Sequence, residues 1–284
     1  MNPINFCKFH GFGNDYIVIE RDKLDESVSL ESLAVNMCHR KTGVGGDGIA
    51  VLENRDGSTA DYFCEIVNPD GSIAGFSGNG TRCAVAYLHH RGIWTERLLR
   101  LETRSGIKLY ELLEIKGKTE FWFKAEIGKP RFSNIEIPVL TDTRRDAVVN
   151  EPIDIDGEPY LFSAVNIGNP IACIFVDNFG IEWREIGRAM ETHEIFPDRA
   201  NIVWVKVQDR ENIEIRIWER GAGETSASGT CSSGAAVLSS FLLKTGRQVN
   251  VHSEGGVTGI FWREDDEILI KGRADFAFSG EWPG

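Results

Sequence analysis

Apolar and polar residues alternate from Asn5 to Glu20, broken at His10-Gly11-Phe12-Gly13-Asn14-Asp15. The pattern predicts a strand, a tight glycine loop and a second strand over Tyr16-Ile17-Val18-Ile19. The period then lengthens. Leu30, Leu33, Ala34 and Met37 recur at helical spacing between Ser29 and Arg40, with Ser29 placed to cap the helix. Glu31 falls in its first turn, where a carboxylate suits the helix dipole. Strands are predicted at 49–52 and 61–67, a helix at 79–91, and strands at 98–103, 107–114 and 119–127. Gly128-Lys129-Pro130 reads as a domain junction. Beyond it the pattern predicts strands at 155–165 and 172–177 and an amphipathic helix from Ile181 to Glu191. Further strands follow at 201–207, 212–218, 257–262, 267–270 and 274–278.

Two glycine-rich turns stand out in this pattern, Ser77-Gly78-Asn79-Gly80-Thr81-Arg82-Cys83-Ala84 and Ser228-Gly229-Thr230-Cys231-Ser232-Ser233-Gly234-Ala235. Behind them Ala84, Val85, Tyr87 and Leu88, and then Ala236, Val237, Phe241 and Leu242, keep helical spacing, so each turn is expected at a helix N-terminus. A helix start presents N–H groups without intrahelical partners and a partial positive charge, and glycine lets an anion approach the backbone. The competing reading of Ser77 and Ser228 is an ordinary N-cap or turn serine. Spacing adds to the first reading. Ser228 follows Ser77 by 151 residues and Asn169 follows Asn14 by 155, which suggests one domain duplicated. Such a repeat is expected to set the two turns facing each other across an interdomain cleft, an arrangement suited to an acid on one face of a ligand and a base on the other.

The 284 residues suffice for two domains with real cores, at 42% hydrophobic and 26% charged composition. A net charge of −12 argues against nucleic acid or an anionic membrane as the main partner. No apolar run approaches a membrane span and Met1-Asn2-Pro3-Ile4-Asn5-Phe6 does not read as a signal peptide, so the expected location is the cytoplasm. The six cysteines have no CxxC pairs and no companion histidines at metal spacing; free thiols and no metal site are expected. His89-His90 are expected at a solvated helix end. The glycine loops lack the P-loop lysine, and Gly43-Val44-Gly45-Gly46-Asp47-Gly48 does not match a dinucleotide fingerprint.

Taken together, His10-Gly11-Phe12-Gly13-Asn14-Asp15-Tyr16, Asn68-Pro69-Asp70-Gly71-Ser72, the Ser77 turn, Gly168-Asn169-Pro170, Phe196-Pro197-Asp198-Arg199-Ala200-Asn201 and Glu219-Arg220-Gly221-Ala222-Gly223-Glu224-Thr225 resemble the diaminopimelate epimerase family over nearly the whole chain, in order and spacing. The resemblance implies an α/β (α+β) fold of two pseudo-symmetric domains, each a curled β-sheet around a central helix, over 1–128 plus 275–284 and 129–274. It implies an enzyme without pyridoxal phosphate or other cofactor that interconverts LL- and meso-diaminopimelate, for lysine and peptidoglycan synthesis, and it admits a homodimer. In that family one cysteine removes the α-proton and a second delivers a proton from the opposite face. By the same resemblance Asn14, Asn68, Asn169, Asn201, Glu219 and Arg220 bind the amino and carboxylate groups of the substrate. The backbone amides of Gly78-Asn79 and Gly229-Thr230 hold the reacting carboxylate.

The chain departs from the family at the reacting positions. Ser77 and Ser228 stand where the family has its two cysteines, Ile171 where it usually has histidine, and Cys231 where it usually has glycine. A thiol titrates near 8.5 and an aliphatic hydroxyl far higher, at about 1.4 kcal/mol per unit. Three readings follow. The first is an active epimerase with Ser77 and Ser228 as base and acid, helped by Glu219 or by a thiol such as Cys83 or Cys231. The second is a related isomerase or dehydratase acting on another amino acid. The third is a binding protein or impaired paralogue, natural or an engineered Cys-to-Ser variant, that keeps the pocket without turnover.

Overall fold

The computed structural model describes residues 3–283. They form two compact units: the first runs through Glu126 and resumes at Lys271, and the second is Ile127–Ile270. The first unit contains β1 (Ile4–Gly11), β2 (Asn14–Glu20), α1 (Leu30–Cys38), β3 (Gly48–Asn54), β4 (Tyr62–Val67) and β5 (Ile73–Ala74). It continues with α2 (Gly78–His90), β6 (Leu98–Thr103), β7 (Gly106–Lys116) and most of β8 (Glu120–Gly128). The second unit contains β9 (Val148–Ile155), β10 (Glu158–Asn166), β11 (Pro170–Phe175), α3 (Trp183–Glu191), β12 (Asn201–Val207) and β13 (Asn212–Glu219). After β14 (Gly223–Thr225) come α4 (Gly229–Phe241), β15 (Gln248–Ser253) and β16 (Gly256–Trp262), and β17 (Ile268–Trp282) carries the chain back into the first unit.

Each unit repeats one pairing scheme. In the first, β1 and β2 are antiparallel, β2 and β3 parallel, β3 and β4 antiparallel, β4 and β6 parallel, and β6, β7 and β8 antiparallel. In the second, β10 through β13, β15 and β16 follow the same order of antiparallel and parallel neighbours. β17 pairs with both β1 and β8, so the first sheet curls back on itself. α2 packs inside this curl against β1–β4, and α4 packs against β10–β13, β15 and β16 of the second unit.

The two central helices are buried on all sides, as a helix enclosed by a sheet must be. Asn79–Leu88 of α2 are all buried, and so are Cys231–Ser240 of α4. The close fit demands small side chains. Ala84 and Ala86 supply them in α2; in α4 Ser233 and Ser239 do so while returning their hydroxyls to the carbonyls of Gly229 and Ala235 at 2.8 and 2.7 Å. On the outer faces, α1 adds Leu33, Ala34 and Met37 to a core with Ile17, Ile19 and Ile49, and Ser29 caps it by accepting the Ser32 amide. In the second unit Trp183 and Met190 of α3 pack with Ile202 and Trp204.

The structure corrects several expectations. The glycine loop after β1 is only the two-residue turn Phe12-Gly13, with φ of 53° and 90°, because both flanking strands continue to its edge. The segment 155–165 is not one strand: Asp156-Gly157 turn the chain with positive φ, leaving β9 before them and β10 after. The two strands placed at 267–270 and 274–278 are the single β17. Phe241 and Leu242 are not core residues of α4. Phe241 is exposed and stacks on Phe132, and Leu242 is the C-cap.

The histidine pair at the end of α2 is half-buried, with both rings against aromatic neighbours. His90 stacks on Phe276 with ring centroids 4.1 Å apart, and His89 lies against Phe123. Burial holds the His89 imidazole down to about 4. The unfolded chain takes up that proton near pH 6.5, so folding stability is present above 6.5 and is lost as pH falls toward 4, at up to about 1.4 kcal/mol per unit. His89→Leu is expected to be less sensitive to acid than the parent over this window, which urea melts at about pH 7 and about pH 5 would measure.

Candidate active site

Ser77 is the N-cap of α2, with extended backbone at φ −137° and ψ 118°. Its Oγ accepts the Gly80 N–H at 3.1 Å, and the Tyr16 hydroxyl lies 2.9 Å from the same oxygen. The side chain is half-buried, so it still meets solvent. Gly78 and Asn79 stand at the positions whose N–H groups have no intrahelical acceptor.

The amides around this helix start are held by a chain of hydrogen bonds. Arg82, fully buried on α2, donates Nη1 to Asn79 Oδ1 at 3.1 Å and to the Arg273 carbonyl at 3.2 Å. Asn79 Nδ2 donates to Asn14 Oδ1 at 3.1 Å, and Asn14 Nδ2 donates to Asp47 Oδ2 at 2.7 Å. Arg40 then bridges Asp47 and Asp15, and Lys8 joins Asp15 at 2.8 Å. Burial opposes ionisation of Asp15, but Arg40 and Lys8 overcome it and hold the carboxyl at about 2. A charged network therefore fixes which end of each amide Asn14 and Asn79 present. The guanidinium of Arg82 fits because Gly11 and Gly272 have no Cβ: one built at Gly272 would lie 2.6 Å from Nη1. Burial lowers the Arg82 pKa. Sequence pattern assigns no role to Arg82 or Asp47, because no periodicity marks a buried arginine or a partner far along the chain.

Asn68 sits elsewhere in the first unit, at the turn after β4. Its Nδ2 donates to Ser72 Oγ at 2.9 Å and its backbone N–H to the Ser72 carbonyl at 2.8 Å, so part of its capacity is spent inside the turn.

In the second unit Ser228 is the N-cap of α4, again extended, but its side chain makes no capping bond, which leaves the early amides of Gly229 and Thr230 without that competitor. Asn169 Nδ2 donates to Thr230 Oγ1 at 3.3 Å. Asn201, at the start of β12, accepts the Arg220 N–H at 2.9 Å. Two amide atoms here are sealed from solvent with no hydrogen-bond partner among the described residues, Asn169 Oδ1 and Asn201 Nδ2. An acceptor and a donor left this way cost about 1–3 kcal/mol each, a cost that a ligand with an ammonium and a carboxylate would relieve. Glu219 ends β13 and accepts from Thr225 Oγ1 at 2.7 Å; the exposed Arg220 donates Nη1 to the Asp198 carbonyl at 2.8 Å.

Burial pushes Cys83 up to about 12 and Cys231 well above its ordinary value, the latter despite hydrogen bonds from Ser228 and Thr230. Both stay protonated at neutral pH and fully buried. Ile171 is equally enclosed; a Cβ on Gly234 would meet its Cδ1 at 2.8 Å, so the absence of a side chain on α4 makes room for it. Among the described residues no group of three or more His, Cys, Asp or Glu is placed to hold a metal ion, and no helix is long and apolar enough to cross a membrane.

Comparison with known proteins adds to this geometry. The family model described as diaminopimelate epimerase matches residues 6–133 and 163–277. The diaminopimelate epimerase of Caldanaerobacter subterraneus subsp. tengcongensis is 40% identical over 279 residues, covering 98% of this chain and 99% of that one. The diaminopimelate epimerase of Pelotomaculum thermopropionicum is 39% identical over 284 residues, covering 99% of each. Among solved structures, a probable proline racemase from Agrobacterium radiobacter K84 matches with a TM-score of 0.72 over 98% of this chain and 92% of its own, at 14% identity, a likeness of fold.

Proposed function

The chain belongs to the diaminopimelate epimerase family, and on that premise we propose that it interconverts LL- and meso-diaminopimelate by proton transfer at one α-carbon without a cofactor. Inversion needs one group to take the α-hydrogen and another to return a proton to the other face. Ser77 and Ser228 are the groups assigned to these steps. The observation that carries the reading is the pair of helix starts, each with a serine at the cap and amides of Gly78-Asn79 or Gly229-Thr230 beside it. As the C–H bond breaks, its electron pair moves toward the carboxylate, and amide donors at a helix start stabilise the charge that develops there.

The recognition groups follow the same logic. Asn169 Oδ1 and Glu219 suit an ammonium; Asn201 Nδ2 and Arg220 suit a carboxylate, for which a guanidinium offers two parallel donors. Asn14 and Asn79 present amides of fixed orientation, and Asn68 keeps its Oδ1 for the ligand. Glu219 is the ionisable group assigned to assist at Ser228. The same reading places the reaction in the cytoplasm with a small amino-acid substrate as partner. A homodimer, which the family resemblance admits, would be read by sedimentation equilibrium.

The decisive experiment is incubation of the purified protein with LL-diaminopimelate in D₂O, following α-deuterium by mass spectrometry and the meso isomer by chiral chromatography. Deuterium uptake with meso product is the expected result. Binding without uptake would sink the epimerase reading.

A further inference from the structure

A hydroxyl in place of a thiol leaves a gap that the helix dipole does not close. The stabilisation that a helix start offers an anion at its cap is far smaller than the difference in acidity between a thiol and an alcohol. We propose that Tyr16 is the proton partner of Ser77, so that the pair of hydroxyls, rather than the serine alone, exchanges the α-proton; this rests on the epimerase reading above.

Three observations carry it. The Tyr16 hydroxyl lies 2.9 Å from Ser77 Oγ, while the Gly80 N–H occupies another side of that oxygen at 3.1 Å. Ser77 therefore sits between a fixed donor and a second hydroxyl, and its remaining side meets solvent. The ring of Tyr16 is buried in a slot made by two glycines: a Cβ on either Gly48 or Gly80 would lie 2.8 Å from the same ring carbon. One of these glycines follows the Asp47 that anchors Asn14, and the other is in the first turn of α2, so the slot belongs to the site and aims the phenol at the cap. Finally, the arrangement is not a generic property of the duplicated fold. At the corresponding places of the second unit stand Ile171 for Tyr16 and Cys231 for Gly80, and Ile171 packs against Gly234.

The protons balance as a two-step relay. In one direction the Tyr16 phenolate takes the hydroxyl proton of Ser77 as Ser77 Oγ takes the α-hydrogen, and the C–H electron pair stays on the substrate. In the other, the phenol gives its proton to Ser77 as Ser77 protonates the carbanion. Ser77 begins and ends each step as a neutral hydroxyl: the negative charge passes between the phenol oxygen, a group that ordinarily titrates near 10, and the substrate carbanion, and no free alkoxide is formed.

Tyr16→Phe tests the assignment, because phenylalanine fits the same slot and removes only the hydroxyl. Deuterium uptake is measured separately from the LL and the meso isomer, with kcat and KM for each. The expected result is a fall of at least about tenfold in kcat for exchange from one isomer, with KM and exchange from the other unchanged. Equal losses from both isomers, a change confined to KM, or no change would each overturn the proposal. A parent protein that exchanges with neither isomer would overturn the epimerase reading itself, an outcome visible before any variant is made.

Discussion

Ser77→Ala and Ser228→Ala are each expected to lower the rate of inversion by about 10²–10⁴-fold, the range contributed by a positioned acid or base. Neither substitution removes a residue assigned to recognition, so the loss falls on kcat and KM stays close to the parent value. Each variant is expected to retain α-proton exchange from the isomer whose hydrogen the surviving serine removes, so LL- and meso-diaminopimelate would separate the two. Stability separates them further. Ser77 Oγ accepts the Gly80 N–H, and its loss costs about 1 kcal/mol of cap energy. Ser228 makes no side-chain cap bond, and Ser228→Ala is expected to melt close to the parent. Inversion that survives either substitution at the parent rate takes that serine out of the chemistry.

Arg220→Met is expected to lower kcat/KM for diaminopimelate about ten- to a hundredfold, through KM, the loss of a hydrogen-bonded charge pair worth about 1.5–3 kcal/mol. The side chain is exposed, its backbone N–H is held by Asn201, and its Nη1 donates to the Asp198 carbonyl, so the guanidinium is anchored at both ends with donors to spare. A planar fork of donors recognises a carboxylate in a way that the flexible thioether cannot reproduce. Exchange from an amino acid lacking the second carboxylate is expected to be slow in the parent and unaltered in the variant. If Arg220→Met leaves diaminopimelate kinetics unchanged, Arg220 does not read the distal carboxylate, and a different amino-acid substrate gains ground.

Much of the fold was legible because its signals are local. The Ser77 and Ser228 turns announced two helices, and Ser29 announced α1, since cap chemistry depends on a few neighbouring residues. What escaped depends on residues far apart in sequence. The turn at Asp156-Gly157 is hidden in a run that alternates smoothly, and β17 runs unbroken through Lys271-Gly272-Arg273 as a strand shared with several neighbours, which its own pattern does not announce. α4 hides its burial behind serines whose hydroxyls bond to their own helix. His89 and His90 read as a polar helix end until Phe123 and Phe276, from distant strands, cover them.

The site shows the same division. Substrate-contacting candidates could be read residue by residue from a family resemblance, because motif and role travel together. The support beneath them could not. Arg82 orders Asn79 and Asn14 from inside the core, and Tyr16 reaches Ser77 across 61 positions of sequence through a slot defined by two missing side chains.

All six cysteines are free and buried, and burial pushes every one of their thiols up. The positions assigned to proton transfer hold oxygen. Peroxide, disulfide-forming reagents and alkylating electrophiles seek an accessible thiolate, and a serine-based centre offers them none. On the proposed reading, proton transfer by Ser77 and Ser228 is expected to survive peroxide and alkylating reagents that inactivate a thiol centre, and the six thiols are buried away from the same reagents.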